Sequence, residues 1–267
     1  MRELNQSDHE KVMRLLGKKP AENLFTLWGI ESYGYEDKIQ TLWGQFGTDG
    51  ELIAVLCKFK NKYTPYWETD CNLQQFADII NRDINEKEVN GIKSLTNQIE
   101  PLITAGFSKR EIYYYAKCDP IQNLHHSDLV RCLSEEEVPQ LISFYQEIPE
   151  FKREYNPESF IDQMKNGWSR IFVIEEDDKL ISSASTVCET TVAAMASGVC
   201  TLSEKKGKGL ASICVEHLMN NLFQQNKTLT LFYDNPEAGR IYKRLGFKDI
   251  EKWTINSCKE RNNHNDN

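Results

Sequence analysis

The sequence predicts an α/β (α+β) protein built from two copies of one unit. Three observations carry this reading. Strand-sized apolar runs are joined by tight turns, amphipathic segments of helical spacing lie between them, and a helix–Gly–Phe–strand ending occurs twice. At roughly 150 residues per domain, the 267 residues suit one large domain or two modest ones, and 40% hydrophobic with 27% charged residues is enough to build a core.

The first half opens with a helix over Asp8–Leu16, stopped by Gly17-Lys18-Lys19-Pro20. An apolar patch follows at Leu24–Trp28. Strands are predicted at Ile39–Phe46, Glu51–Lys58 and Lys62–Trp67, with Gly47-Thr48-Asp49-Gly50 as the first turn. A helix over Asn72–Ile80 leads to a short helix-like region ending at Leu102–Gly106, and the aromatic strand Glu111–Lys117 closes the half. Asp119–Asp128, with Pro120 and Asn123, reads as a linker. The predicted domains are therefore residues 1–121 and 122–267.

The second half begins with a strand at Leu129–Cys132. Ser134 and Glu137 have capping-box spacing at a helix start. A second helix is predicted over Pro157–Gly167. Strands follow at Arg170–Glu175, Lys179–Cys188 and Ala193–Leu202, with Asp177-Asp178 as a turn. Leu102–Phe107 and Tyr242–Phe247 both end a helix-like segment at Gly, a residue suited to the left-handed C′ position, and then start a strand.

Charge and composition exclude several classes. The formal net charge is -8 and the pI about 5.3, whereas nucleic-acid binders concentrate basic charge. The longest apolar runs, such as Leu52–Cys57 and Ile171–Ile174, fall far short of the roughly 20 residues a bilayer requires. Met1–Val12 has no apolar signal core. The expectation is a cytoplasmic protein without nucleic-acid or membrane partners, monomeric or homodimeric. The eight cysteines form no C-x-x-C pair and read as reduced thiols, and His125-His126 diverge as neighbours do, so no metal is expected. The tail Glu260–Asn267 is polar and reads as frayed.

The chemistry concentrates in Ala196–Ile213. A strand runs into Ser203-Glu204-Lys205-Lys206-Gly207-Lys208-Gly209, and a helix follows with Ala211, Cys214, Val215, Leu218 and Leu222 on one stripe. A glycine loop before a helix N-terminus, with three lysines, is an anion site suited to a pyrophosphate. The P-loop pattern fails, because its first glycine falls on Leu202 and Lys208 is followed by Gly209. The dinucleotide fingerprint fails at Ser212. An ordinary glycine turn with solvated lysines remains the bland alternative. Further on, Asn235 can cap a helix whose first residue is Pro236 and which Gly246 ends.

Gly207-Lys208-Gly209 after a strand, then Asn235, Ala238 and Tyr242 at N-x-x-A-x-x-x-Y spacing, then Gly246-Phe247, resembles the GNAT family of N-acetyltransferases. The resemblance covers roughly Leu129–Thr254, and the first half resembles a degenerate second copy without a glycine loop. It implies a mixed, mostly antiparallel central sheet flanked by helices, two such domains in tandem, and acetyl-CoA as co-substrate. By resemblance, the backbones of Val199, Cys200 and Thr201 would bind the pantetheine arm. Lys205, Lys206, Gly207, Lys208, Gly209, Leu210 and Ala211 would hold the pyrophosphate. Asn235 and Ala238 would line the groove, and Tyr242 would face the sulfur and protonate the leaving thiolate. Glu204 departs from the Gln or Arg the family usually places there.

The implied reaction is attack of an amine on the acetyl thioester within a ternary complex. A free amine has a pKa near ~10.4, so a base or a desolvated site is required. Glu189, at the end of the strand before the cofactor strand, is either that base or a solvated turn residue. Tyr242 is either the acid or a packed aromatic, and Asn235 serves as a helix cap in either case. Phe151, Tyr155, Phe160 and Trp168 read as core rather than as an acceptor pocket. The acceptor is an amine of a small molecule or peptide, and the acidic net charge favours a cationic one. The alternative is a non-catalytic acyl-CoA-binding module, kept open by Glu204 and opposed by Tyr242.

Overall fold

The computed structural model describes residues 1–121 and 127–258. His125, His126 and the tail from residue 259 lie outside the described residues. The chain divides into two compact units, Met1–Tyr115 with the segment from Ile250, and Ala116–Asp249. The first boundary falls near the linker at 119–128. The strand from Ile250 groups with the first unit, unlike the division at 121/122.

The first unit holds β1 (Arg2–Glu3), α1 (His9–Leu16), α2 (Leu24–Tyr33), β2 (Gln40–Phe46), β3 (Leu52–Phe59) and β4 (Lys62–Trp67). It continues with α3 (Leu73–Arg82), β5 (Lys87–Ile92), α4 (Lys93–Ile99) and most of β6 (Phe107–Cys118). β1 to β4 pair antiparallel in order, and β4 then meets β5 in parallel at Lys62–Glu88 and Tyr63–Val89. Residues Trp253–Cys258 pair antiparallel with β5. Pattern alone does not reveal β5: Asn90 and Gly91 disfavour a strand, and pairing on both sides imposes it.

The second unit repeats this order. It holds β7 (Val130–Cys132), α5 (Val138–Gln146), α6 (Pro157–Lys165), β8 (Ile171–Glu176), β9 (Lys179–Val187) and β10 (Ala193–Thr201). α7 (Leu210–Phe223), β11 (Thr228–Tyr233) and α8 (Pro236–Arg244) follow, and the last strand, β12 (Lys248–Cys258), starts here. β7 to β10 pair antiparallel, and β10 meets β11 in parallel. The predicted capping box forms: Glu137 accepts from the Ser134 N–H at 2.8 Å and from Arg131 at 2.6 Å. The Arg131 guanidinium, with that N–H, holds the Glu137 carboxyl down at about 2.

Helix α7 buries Cys214, Val215, Leu218 and Leu222 of the predicted stripe, with Met219 in addition, against β8, β9 and β10, whereas Ala211 is only half-buried and lines a cavity. All eight cysteines are free thiols, and five of them are buried. Among the described residues, no helix is long and apolar enough to cross a membrane.

Candidate active site

The site follows from one pairing that stops early. β10 and β11 are in parallel register only at Ala193–Thr228, Ala194–Leu229 and Met195–Thr230. Both strands run on past that point, and a cavity of about 260 Å³ lies there, lined by Met195–Val199, Leu231, Phe232, Phe151 and Tyr242.

A bulge shapes the β10 side. Ser197 pairs with Ser185 and Cys200 with Ser183, so β10 carries one extra residue. Gly198 takes φ 57° there, a conformation other residues adopt only with strain. A Cβ at Gly198 would lie 2.2 Å from the Tyr145 hydroxyl and 2.9 Å from Ser185 Oγ. β9 hydroxyls hold the bulge: Ser183 donates to the Gly198 carbonyl at 2.6 Å, Ser185 to Ser197 at 2.9 Å, and Ser182 to Cys200 at 2.9 Å. Burial pushes the Tyr145 hydroxyl pKa up, so it stays protonated. Gly198→Ala is expected to cost about 1–3 kcal/mol through backbone strain, with a clash besides. Calorimetry should show Tm lower by about 4 °C or more.

Beyond the bulge lies a second cavity of about 490 Å³, lined by Thr201, Lys205, Lys206, Gly207, Gly209, Leu210, Ala211, Ser212, Ile241 and Arg244. Gly207 and Gly209 sit at φ 83° and 76°, with open space where a Cβ would project. Gly209 is the N-cap of α7, and no side chain bonds the first-turn N–H groups. Those N–H groups, Lys206 and Arg244 are therefore disposed toward an anion. Lys205 is ion-paired with Glu176, and Lys206 lies 3.9 Å from Glu150. Arg244, which the motif does not flag, donates to Ser212 Oγ at 3.5 Å.

On the other side of the bulge is a third cavity of about 370 Å³. Phe151, Ser197 and Gly198 line both it and the Tyr242 cavity, so the two adjoin there. Phe151, Tyr155 and Phe160 pack against the core yet line this space. That corrects their reading as core alone, because period and composition cannot show which side of a half-buried ring is left uncovered. Trp168 is not on its lining.

The predicted residues fall into three groups. Val199 and Tyr242 line the middle cavity, and Thr201, Lys205, Lys206, Gly207, Gly209, Leu210 and Ala211 line the cationic one. Cys200 turns its side chain inward, where its thiol meets Ser183 at 3.4 Å and burial pushes it up to about 12. Lys208, Asn235 and Ala238 line none of the three cavities. Asn235 caps α8, accepting from the Glu237 N–H at 2.9 Å.

Glu189 requires a correction. Its side chain is 1% exposed. Its carboxylate accepts from Lys227 at 2.7 Å, from Arg170 Nε at 2.9 Å and Nη2, and from Thr186 at 3.2 Å. Its own N–H donates to Trp168 at 3.1 Å, folding it back beside β8. It lines none of the three cavities, so it is neither a solvated turn residue nor a base within reach of an acceptor. Tyr242 is placed differently: half-buried, 6.0 Å from the Tyr233 ring and 5.8 Å from Phe247. Burial first, and Cys200 second, raise its hydroxyl pKa.

A cationic glycine loop, a gap between parted strands and an adjoining pocket line up along one strand as a candidate ligand site. Comparison with known proteins specifies it. The family description GNAT acetyltransferase matches residues 122–256, about half of the chain. The chain belongs to the GNAT acetyltransferase family. Solved structures share the fold at low identity. A Drosophila protein is 12% identical with TM-score 0.71, covering 98% of this chain and 99% of its own. A tandem GNAT protein from the clavulanic acid biosynthesis pathway, solved without AcCoA, is 10% identical with TM-score 0.58, covering 98% of each. A GCN5-related N-acetyltransferase from Kribbella flavida is 12% identical with TM-score 0.57, covering 77% of this chain and 86% of its own. No curated protein sequence matches the chain.

Proposed function

We propose that this protein is an N-acetyltransferase that moves the acetyl group of acetyl-CoA to a primary amine by direct attack in a ternary complex. The observation that carries this is the meeting of two cavities at Phe151, Ser197 and Gly198. A module that only sensed acyl-CoA would need no second pocket opening on the thioester.

The residues present fit coenzyme A. The cavity at 205–212 offers lysines, Arg244, open glycine backbone and free helix N–H groups to a diphosphate, and the parted strands leave room for an extended arm. Acetyl-CoA supplies an activated thioester. The chain positions the amine nitrogen beside it, which gains a high effective concentration. The new N–C bond forms as the C–S bond breaks, and the amine releases one proton to solvent. Tyr242, protonated at neutral pH, gives its proton to the leaving sulfur and regains one from water. Every lining residue comes from the second unit of one chain, so the reading requires no second subunit. We read residues 1–121 as the degenerate copy and 122–267 as the catalytic domain. The first unit's segment between β4 and α3 holds Glu68 and Asp70 and no glycine, so it offers no glycine cradle to a phosphate.

Isothermal calorimetry should show acetyl-CoA binding to the full chain, and thiol release should follow when an amine is added. Binding without release over a broad amine panel would select the sensing module. Arg244→Ala is expected to weaken CoA binding about ten-fold, the scale of one charged hydrogen bond, with Tm nearly unchanged.

A further inference from the structure

The cavity beside Ser197 is specific enough to define its guest. At about 370 Å³ it suits a small organic molecule. One wall is aromatic. Tyr145 stacks on Phe151 with centroids 5.4 Å apart and planes at 22°, and Tyr155 lies 5.6 Å from Tyr145 and 5.8 Å from Phe160. Such faces favour another ring in offset or edge contact.

The lining also carries serine hydroxyls, Ser159, Ser169, Ser185 and Ser197. Ser169 donates to the Thr186 carbonyl at 2.6 Å and Ser185 to Ser197 at 2.9 Å, so these two oxygens offer lone pairs rather than protons to a ligand. That suits an N–H donor. Ser197 lies where the two cavities adjoin, the place at which the amine must meet the thioester.

Charge on the lining is balanced, with Arg153 the one cation and Glu154 the one carboxylate. The Arg153 guanidinium lies 5.0 Å from the centre of the Tyr155 ring, and its loop is tied to α5 by Gln146 donating to the Arg153 carbonyl at 2.6 Å. Among the described residues no carboxylate pairs with it, and none of the described cations pairs with Glu154. A polyamine or an aminoglycoside would call for several carboxylates. One carboxylate and one guanidinium call for a guest with one charge of each sign.

We infer that the acceptor is a small aromatic primary amine that also carries one carboxylate, in chemical class an aromatic amino acid. This rests on the acetyltransferase reading above. Its ring lies against Tyr145, Phe151, Tyr155 and Phe160, and its carboxylate pairs with Arg153, whose planar fork suits two-point contact. Glu154 meets the ammonium form as it enters. The neutral amine donates to a serine oxygen and keeps its lone pair for attack.

The test uses the full chain. Calorimetry first measures acetyl-CoA binding. Thiol release is then followed with phenylalanine, tyrosine and tryptophan, with their decarboxylated amines, with spermidine, with an aminoglycoside and with a lysine-bearing peptide. An aromatic amino acid is expected to exceed its decarboxylated amine in kcat/KM by about ten-fold or more. Arg153→Ala should bring that ratio near one while acetyl-CoA affinity holds. Preference for spermidine, the aminoglycoside or the peptide overturns the inference. So does a wild-type ratio near one, a ratio unmoved in Arg153→Ala, or acetyl-CoA binding with no aromatic amino acid turned over. In each of these cases the cofactor reading stands, whereas absence of acetyl-CoA binding overturns both.

Discussion

Replacing Tyr242 with Phe is expected to lower kcat by about 10²-fold or more, the scale of a positioned general acid, while the KM for acetyl-CoA changes little. The substitution removes one oxygen and keeps the ring, so the packing against Tyr233 and Phe247 survives. Loss of kcat with an unchanged Tm separates an acid from a packed aromatic. The pH dependence has a definite sign. Because burial raises the Tyr242 pKa above its ordinary value of 10.0, the hydroxyl keeps its proton throughout the neutral range. Its deprotonation should therefore produce no falling limb in the kcat profile of the wild type between about pH 6 and 9. A kcat equal to wild type in Tyr242→Phe would remove Tyr242 from the chemistry.

Glu189→Ala is expected to destabilise the second unit by about 3–5 kcal/mol, the cost of stranding buried charges. Arg170 and Lys227, with side chains 24% and 13% exposed, would lose the carboxylate both now contact. Denaturant titration should show a lower midpoint. The activity of molecules that remain folded should hold near wild type, because Glu189 lines none of the cavities. A catalytic base would give the opposite result, a collapse of kcat with stability retained.

The two outcomes show what sequence reading reaches. Tyr242 is legible because α8 is a local object: Asn235 caps it, Pro236 begins it, Gly246 ends it, and helical geometry then fixes where position 242 points. The glycine loop is legible for the same reason, since φ values near 80° at Gly207 and Gly209 are requirements of adjacent residues. Glu189 is not, because its fate depends on Arg170 and Lys227, 19 and 38 residues away. Arg244 escapes because it belongs to no loop motif and reaches the site across the fold, near Ser212. The aromatics at 151, 155 and 160 read as core in sequence, and only packing decides which of their faces stay open.

By itself, then, the sequence determined most of the strands and helices, the glycine–lysine loop and the helix that carries the Tyr242 hydroxyl, because each is encoded in residues a few positions apart, whereas β5 needed its pairing partners. Tertiary structure alone decided where β10 and β11 part, that Gly198 yields to the Tyr145 hydroxyl, that Glu189 lies among cations and that the strand from Ile250 joins the first unit. Those outcomes are set by contacts between distant segments, whose energies appear only when the chain is folded.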